Sequence, residues 1–464
     1  MKQKHSHYRV QLPVRTSEQP LPEEPVELTI ESLSFDGQGV AHYQGKAAFI
    51  TNALPGEQVL ARLTEEKTKF YSGHTDTILT ADSHRIDPAC PHYHQCGGCD
   101  LQHLDSERQL ELKQTQALDQ LKRIGQCKPA NIITPLAANN WSYRRSARIG
   151  INQLSNDEPI IGFRRRGSHL LTQIDSCAVM DKRVSDIFSK VRYALTDTGD
   201  IKHITQLDVD LGDEGGYLSL RLKKELNDQH LEIFNHLAAH YGLSLQLQLI
   251  GTDHYTTPAQ LASYRLNQQE LQFRPDDFIQ VNAEINQQMV DKACELLDLS
   301  PEDNILELFC GLGNFSLPLA QSGASVTGIE GNLTMVQQAE LNARHNSVDN
   351  CRFFCANLAE KLAGLQWFKG SYNKVLLDPP RSGAAKLIPQ ITKQRPELIL
   401  YISCNPGSLA RDSKLLKDEG YKLQDFLVMD MFPQTHHIES MALFVRGKKK
   451  SQKKKLFSGK GISR

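Results

Sequence analysis

The sequence predicts a multidomain α/β protein with a small amino-terminal barrel, a central α+β domain holding a cysteine cluster, and a carboxyl-terminal doubly wound sheet. Three observations carry this expectation. From Asn304 onward, short apolar runs alternate with helical patterns, as in a parallel sheet covered on both faces. Between Val26 and Ile78 the runs are short and separated by Asp-Gly, Gln-Gly and Pro-Gly turn signals, which argues an antiparallel barrel of the OB-like kind. Between these regions lie Cys90, Cys96 and Cys99, with Gly97-Gly98 inside the run.

The 464 residues are 39% apolar, enough for two or three cores. The 53 Lys and Arg nearly cancel the 54 Asp and Glu, so a polyanionic partner must be met by local patches and not by a global field. No apolar stretch is long enough to cross a bilayer, and Met1 to Arg15 has no signal-peptide core. The expectation is a cytoplasmic protein with no membrane partner and no indicated protein partner. In that reducing compartment the ten cysteines read as metal ligands, catalysts or packing residues, not as disulfides.

In order, residues 1–24 read as a disordered arm and 25–82 as the barrel, with strands at Val26–Ile30, Ala47–Ile50, Gln58–Leu63 and Gly73–Ile78. Residues 83–272 form the central domain. Its three-thiol run, folded back by two glycines, is a metal-binding pattern. His92, His94 and His103 would permit zinc, whereas glycines packed between thiolates suit a bulkier iron–sulfur cluster. Cys177 is the best-placed fourth thiolate and Cys127 the runner-up. A helix is expected over Asp105 to Gly125 from Leu110, Leu112, Leu118 and Leu121, and another near His230 to His240. Tyr143-Arg144-Arg145-Ser146-Ala147-Arg148 and Phe163-Arg164-Arg165-Arg166 interleave cations with aromatics, as phosphate contact and base stacking require.

Residues 273–447 are the doubly wound domain, with strands at 304–310, 325–330, 351–357, 374–378, 397–404, 423–429 and 441–446; residues 448–464 form a basic tail suited to salt-sensitive nucleic-acid contact. The first strand runs into Phe309-Cys310-Gly311-Leu312-Gly313-Asn314, a glycine turn that lets a cofactor approach the backbone. Ser316 stands where a dinucleotide fingerprint has its third glycine. Glu330 ends the second strand, where a ribose hydroxyl is usually gripped, and Asn357 and Asp378 end the third and fourth. Asp378-Pro379-Pro380-Arg381 is a stiffened loop that holds the acid toward the crevice. Leu398 to Ile402 is a strand buried on both faces, so Cys404 stands at its carboxyl end, where open parallel sheets place reactive groups. Glu439 enters the last strand among polar groups, a position suited to a general base.

These residues resemble the RNA (uracil-C5)-methyltransferases. The likeness rests on Phe278-Ile279-Gln280-Val281-Asn282, the Gly-Leu-Gly-Asn turn, Asp-Pro-Pro-Arg, Ser403-Cys404-Asn405-Pro406 and His437-Ile438-Glu439-Ser440-Met441. The amino-terminal segment resembles the TRAM module, an RNA-binding barrel. Barrel and cysteine cluster together are most similar to family members acting on 23S rRNA. The resemblance implies S-adenosylmethionine on a class I, Rossmann-like methyltransferase sheet, held by Gln280, Phe309, Asn314, Glu330, Asn357 and Asp378. It also implies a [4Fe-4S] cluster on Cys90, Cys96, Cys99 and Cys177, with Cys404 as nucleophile and Glu439 as base. The chemistry suits these types. Uracil C5 is too weak a nucleophile to attack a sulfonium methyl until a thiolate has added to C6. A free thiol with a pKa of about 8.5 is mostly neutral, so the site is expected to favour the thiolate. A non-catalytic RNA-binding factor would need neither Cys404 nor Glu439, and an enzyme acting on tRNA would share the mechanism.

Overall fold

The computed structural model describes residues 21–153, 158–199, 202–252 and 255–447. Most of the expected arm, and the basic tail, lie outside the described residues. The chain divides into two compact units, Met1–Ile86 and Asp87–Arg464.

The first unit is a six-stranded sheet: β1 (Val26–Thr29), β2 (Ser32–Leu33), β3 (Gly39–Tyr43), β4 (Lys46–Thr51), β5 (Gln58–Glu66) and β6 (Phe70–Thr80), in the order β1-β5-β6-β4-β3-β2. Period-two alternation explains its core, in which Val59, Ala61 and Leu63 of β5 face Leu28, Ala41, Ala48, Ile50 and Tyr71. Three register shifts between β5 and β6 bend that pair. The β3–β4 hairpin turns on Gln44 and Gly45, both at positive φ (47° and 78°). Glu57 is fully buried at one end and receives Arg85 at 2.6 and 2.8 Å and the Leu54 amide at 2.8 Å.

The second unit opens with α1 (Ser106–Arg123), capped by the Asp105 carboxylate, and the short β7 (Asn131–Ile132). A five-stranded sheet follows, built from β8 (Ser146–Gln153), β9 (Pro159–Gly162), β10 (Ile204–Leu211), β11 (Gly216–Leu222) and β12 (Ser244–Leu249) in the order β12-β11-β10-β8-β9. Its core takes in residues of α2 (Ile187–Thr198) and α3 (Asp228–His240) together with Cys96, Cys99 and Cys177. The hairpin β13 (Ala262–Leu266) and β14 (Gln269–Phe273) leads to α4 (Ala283–Leu297).

Strand and helix then alternate: β15 (Asn304–Leu308), α5 (Ser316–Ala320), β16 (Ser325–Glu330), α6 (Leu333–His345), β17 (Cys351–Cys355), β18 (Lys374–Leu377), α7 (Ile388–Ile391), β19 (Leu398–Ser403), α8 (Pro406–Asp418), β20 (Tyr421–Met429) and β21 (Glu439–Arg446). The sheet order is β17-β16-β15-β18-β19-β21-β20-β7, with β21 antiparallel to both neighbours. Alternate residues feed two cores. Leu306, Leu308, Ile399 and Tyr401 enter one, while Ile305, Leu400 and Ile402 enter the other. The winding reverses between β15 and β18, which opens a crevice beyond their carboxyl ends. α1 packs against the same layer through Ala117 and Leu121.

Candidate active site and cysteine site

That crevice is a cavity of ≈ 610 Å³, and its walls gather residues far apart in sequence. Gln280, Phe309, Asn314, Glu330, Asp378, Cys404 and Glu439 all line it. Asn357 does not. It is exposed beyond β17, where its amide donates to Glu360 at 2.9 Å.

One end of the cavity is the glycine turn. Phe309 (φ 67°), Gly311 (φ 56°) and Gly313 (φ 97°) all take the left-handed region, so the chain doubles back immediately after β15. A Cβ on Gly311 would come within 3.3 Å of Met335, another cavity-lining residue, so the bare backbone is what leaves room there. Glu330 fixes the turn by accepting from the Gly311 amide at 3.2 Å and the Asn332 amide at 3.0 Å. Asn314 accepts from Tyr264 Oη at 2.9 Å and exchanges two hydrogen bonds with Asn286 at 2.9 and 3.0 Å. Beneath the turn, fully buried Glu307 accepts from Ser316 Oγ, and burial lifts its pKa to about 8.

The other end holds the reactive groups. Asp378 is half-buried, and desolvation lifts its carboxyl to about 7. Glu439 is buried and raised well above the usual carboxylate range by desolvation and by Asp378. Cys404 follows β19 and precedes α8, whose N-cap Asn405 accepts from the Gly407 and Ser408 amides. Burial, then Glu439 and Asp378, push the Cys404 thiol up to about 11, while Arg381 pulls it down. Contrary to the expectation of a site that favours the thiolate, burial together with Glu439 and Asp378 outweighs Arg381 when no substrate is bound.

Sequence reasoning passed over several neighbours. His437 lines the cavity with its Nδ1 3.3 Å from Arg381 Nη2, and burial, then His436 and Arg381, lower its pKa to about 4. A guanidinium only donates, so Nδ1 accepts and the ring proton sits on Nε2. The signal was its place two residues before Glu439. The loop carrying Arg381 is braced by fully buried Asp412, which accepts from the Ala384 amide at 2.6 Å and Tyr401 Oη at 2.7 Å. Gly383 there has φ 76°, and a Cβ would lie 2.5 Å from an Asp412 oxygen.

The arginine clusters divide between structure and surface. Arg145 is buried, stacks 4.3 Å over Tyr264 and donates to the Gln280 carbonyl at 2.7 Å, whereas Arg144 lines the cavity. Arg166 donates to the Cys99 carbonyl at 2.8 Å and lies over Tyr93. Arg148 and Arg164 line a second cavity.

That second cavity, ≈ 580 Å³, is lined by Cys90, Cys96, Cys99 and Cys177 together. Cys127 instead packs between α1 and α8, accepting no place in this group. Gly97 is required by close approach, since a Cβ would meet the Arg164 carbonyl at 2.9 Å. Burial raises the thiols of Cys96, Cys99 (to about 12) and Cys177 (to about 11). Among the described residues, no three His, Cys, Asp or Glu side chains converge closely enough to hold a metal ion.

Comparison with known proteins decides the family. Residues 108–447 match the tRNA (uracil-5-)-methyltransferase family model, and residues 24–74 match the TRAM domain. The chain belongs to the uracil-C5 RNA methyltransferase family. Within that family it is 41% identical over 429 residues to the 23S rRNA (uracil(1939)-C(5))-methyltransferase RlmD of Legionella pneumophila (strain Paris), covering 90% of this chain and 96% of that one. The protein of the same name from Alkalilimnicola ehrlichii is 39% identical over 434 residues, covering 92% and 98%. A Pyrococcus abyssi tRNA (uracil-54, C5)-methyltransferase, solved with S-adenosyl-L-homocysteine, shares the family's fold with a TM-score of 0.70 at 23% identity, covering 90% of this chain and all of that one. Among the described residues, no helix is long and apolar enough to cross a membrane.

Proposed function

We propose that this methyltransferase transfers a methyl group from S-adenosylmethionine to C5 of one uridine in 23S rRNA, with Cys404 as nucleophile and Glu439 as base. The observation that carries the reading is the convergence of Cys404, Glu439 and Asp378 in the cavity that also reaches the glycine turn. The 23S substrate rests on the relatives' names and on their near-complete overlap with this chain.

S-adenosylmethionine supplies an electrophilic methyl group when bound. Gln280, Phe309, Asn314, Glu330 and Asp378 would hold it, with the Glu330 carboxylate suited to a ribose diol. Asn357 would join them only by turning inward from Glu360. Cys404 adds through sulfur to C6 of the uracil and leaves C5 electron-rich. Once C5 carries its methyl, Glu439 takes the C5 proton, the C5–C6 double bond re-forms and the Cys404–C6 bond breaks. The uridine must leave any stack to enter, at a cost of a few kcal/mol that a loop position reduces. Arg144 at the cavity wall is a cation available to the flanking strand.

The donor set of the second cavity fits a [4Fe-4S] cluster on Cys90, Cys96, Cys99 and Cys177. The support is that four thiols from two separate segments line one space, with Gly97-Gly98 among them to leave room for a bulky group. A cluster there would tie the 90–99 segment to the Cys177 turn.

The test is methyl transfer from labelled S-adenosylmethionine to unmodified 23S rRNA, wild type against Cys404→Ala, handled anaerobically. Label at C5 of one uridine, lost in the variant, is expected. Label on tRNA alone would reassign the substrate and keep the mechanism. Tight RNA binding without transfer to either would favour a binding factor.

A further inference from the structure

Glu439 stands at the end of a loop, Asp430 to Ile438, that is gripped from outside its own sheet. Gln434 in this loop is a non-glycine residue at φ 67°, a conformation that persists only where its surroundings over-determine it. They do. Its carbonyl accepts from the Asp100 and Leu101 amides at 3.0 and 3.1 Å, and its amide and side chain pair with the Gln109 side chain at 3.0 Å each. Tyr143 Oη donates to the Pro433 carbonyl at 3.0 Å.

The contact from the cysteine segment nearest Glu439 is made by Asp100, the residue directly after Cys99. One carboxylate oxygen accepts from the His436 amide at 2.7 Å and the other faces His436 Nδ1 at 2.5 Å. Asp100 is itself fixed on the cysteine side, where Tyr93 Oη donates to its carbonyl at 2.7 Å and Arg166 holds the Cys99 carbonyl at 2.8 Å. Only His437 and Ile438 separate this clamp from the base, and His437 lines the same cavity.

We propose that Asp100 is a positioning residue for methyl transfer: its carboxylate ties the cysteine segment to the 430–438 loop and so sets where Glu439 and His437 stand. The cysteine-bearing segment is thereby part of the catalytic architecture and not a separate module. The proposal rests on the function proposed above. A loop released from Asp100 leaves Cys404 in place just after β19, so addition to C6 and methylation continue while removal of the C5 proton fails.

The experiment uses the full-length protein purified anaerobically, with Asp100→Ala, Asp100→Asn and His436→Ala beside wild type. It reads kcat and KM for RNA and for S-adenosylmethionine, the fraction of protein in an SDS-stable methylated RNA adduct, and iron per chain. Displacement of the base predicts that Asp100→Ala lowers kcat about ten- to hundredfold. Both KM values should stay near wild type, and the adduct, scarce in wild type, should accumulate. Asp100→Asn, which still accepts from the His436 amide, should recover part of the loss. If Asp100→Ala loses iron or fails to fold, His436→Ala, on the far side of the contact, decides by the same kcat loss and adduct. Unchanged turnover, or a loss that appears in KM without adduct, overturns the positioning role alone. A wild type that methylates no RNA overturns the functional reading and this role with it.

Discussion

Replacing Lys113 by Met should destabilise the second unit and loosen the loop beside its active site. Lys113 lies on the buried face of α1 and donates to Asp430 at 2.7 Å and to the Phe432 carbonyl at 3.0 Å, with both charged side chains only 3% exposed. Methionine fills similar volume, so the loss is electrostatic: Asp430 keeps a buried charge with its cation gone. Removing one partner of such a pair costs about 3–5 kcal/mol, because the desolvation already incurred is no longer offset. Replacing both partners, Lys113→Met with Asp430→Leu, should recover most of that, since a well-packed apolar pair is often as stable as a buried ion pair. Urea unfolding followed by tryptophan fluorescence reads this unit, which contains both tryptophans, Trp141 and Trp367. A single variant destabilised by less than about 1 kcal/mol, as expected for an exposed pair, would refute the reasoning. So would a double variant no better than the single one.

Glu439→Gln keeps the shape of the base and removes its function. Turnover should fall about 10²- to 10⁴-fold while a methylated Cys404–RNA adduct accumulates on denaturing gels, and a fall without adduct would place the base elsewhere. Gly383→Ala puts a Cβ 2.5 Å from an Asp412 oxygen at φ 76°, so the Arg381 loop must shift; a loss of about 1–3 kcal/mol in unfolding free energy is expected, with reduced turnover. Cys177→Ala should lower iron per chain, and Cys127→Ala, which removes a thiol packed between α1 and α8, should leave it unchanged. With pH, kcat/KM should rise through the neutral range and keep rising toward 9, because the Cys404 thiol, pushed up to about 11, must lose its proton to add to C6. Arg381→Gln removes the cation that lowers the Cys404 pKa and should move that rise to higher pH; identical profiles would refute the assignment.

What was legible in the sequence was what periodicity and turn chemistry encode. The β16 strand falls on Ser325–Glu330 as expected, and the other six strands of the carboxyl-terminal domain lie within three residues of their expected ends. The glycine turn, Asp378, Cys404 and Glu439 meet in one cavity because each ends or begins a strand at the same edge. Long-range packing was less visible. In α1 the buried ladder is Gln109, Lys113, Ala117 and Leu121, an i, i+4 row half polar because it meets the 430–434 loop, so the leucines marked the helix and not its contacts. Arg145 looked like part of a basic surface and is buried against Tyr264. β3 escaped notice because Gly39-Val40-Ala41-His42-Tyr43 carries little apolar contrast, and its pairing with β4 is what places it in the sheet.

The charge arrangement around Cys404 sets the order in which its groups can ionise. Cys404, Asp378 and Glu439 are three acids in one enclosed space with Arg381 as the cation acting on all but Asp378, and the pKa of each acid is raised. Low polarisability makes a second uncompensated charge far more expensive there than in water. One guanidinium offsets one negative charge, so ionisation of the thiol and of the base are coupled: either group loses its proton most easily while the other is neutral. Burial and the two acids thus favour the neutral thiol when no substrate is bound. Such a resting state protects a half-buried cysteine from alkylation and oxidation, which act on the thiolate. It also suits the reaction order, since the thiolate is consumed when sulfur bonds to C6, before Glu439 is required as a base. Raised pKa values at Cys404 and Glu439 are thus compatible with catalysis because the two groups need their charges at different steps.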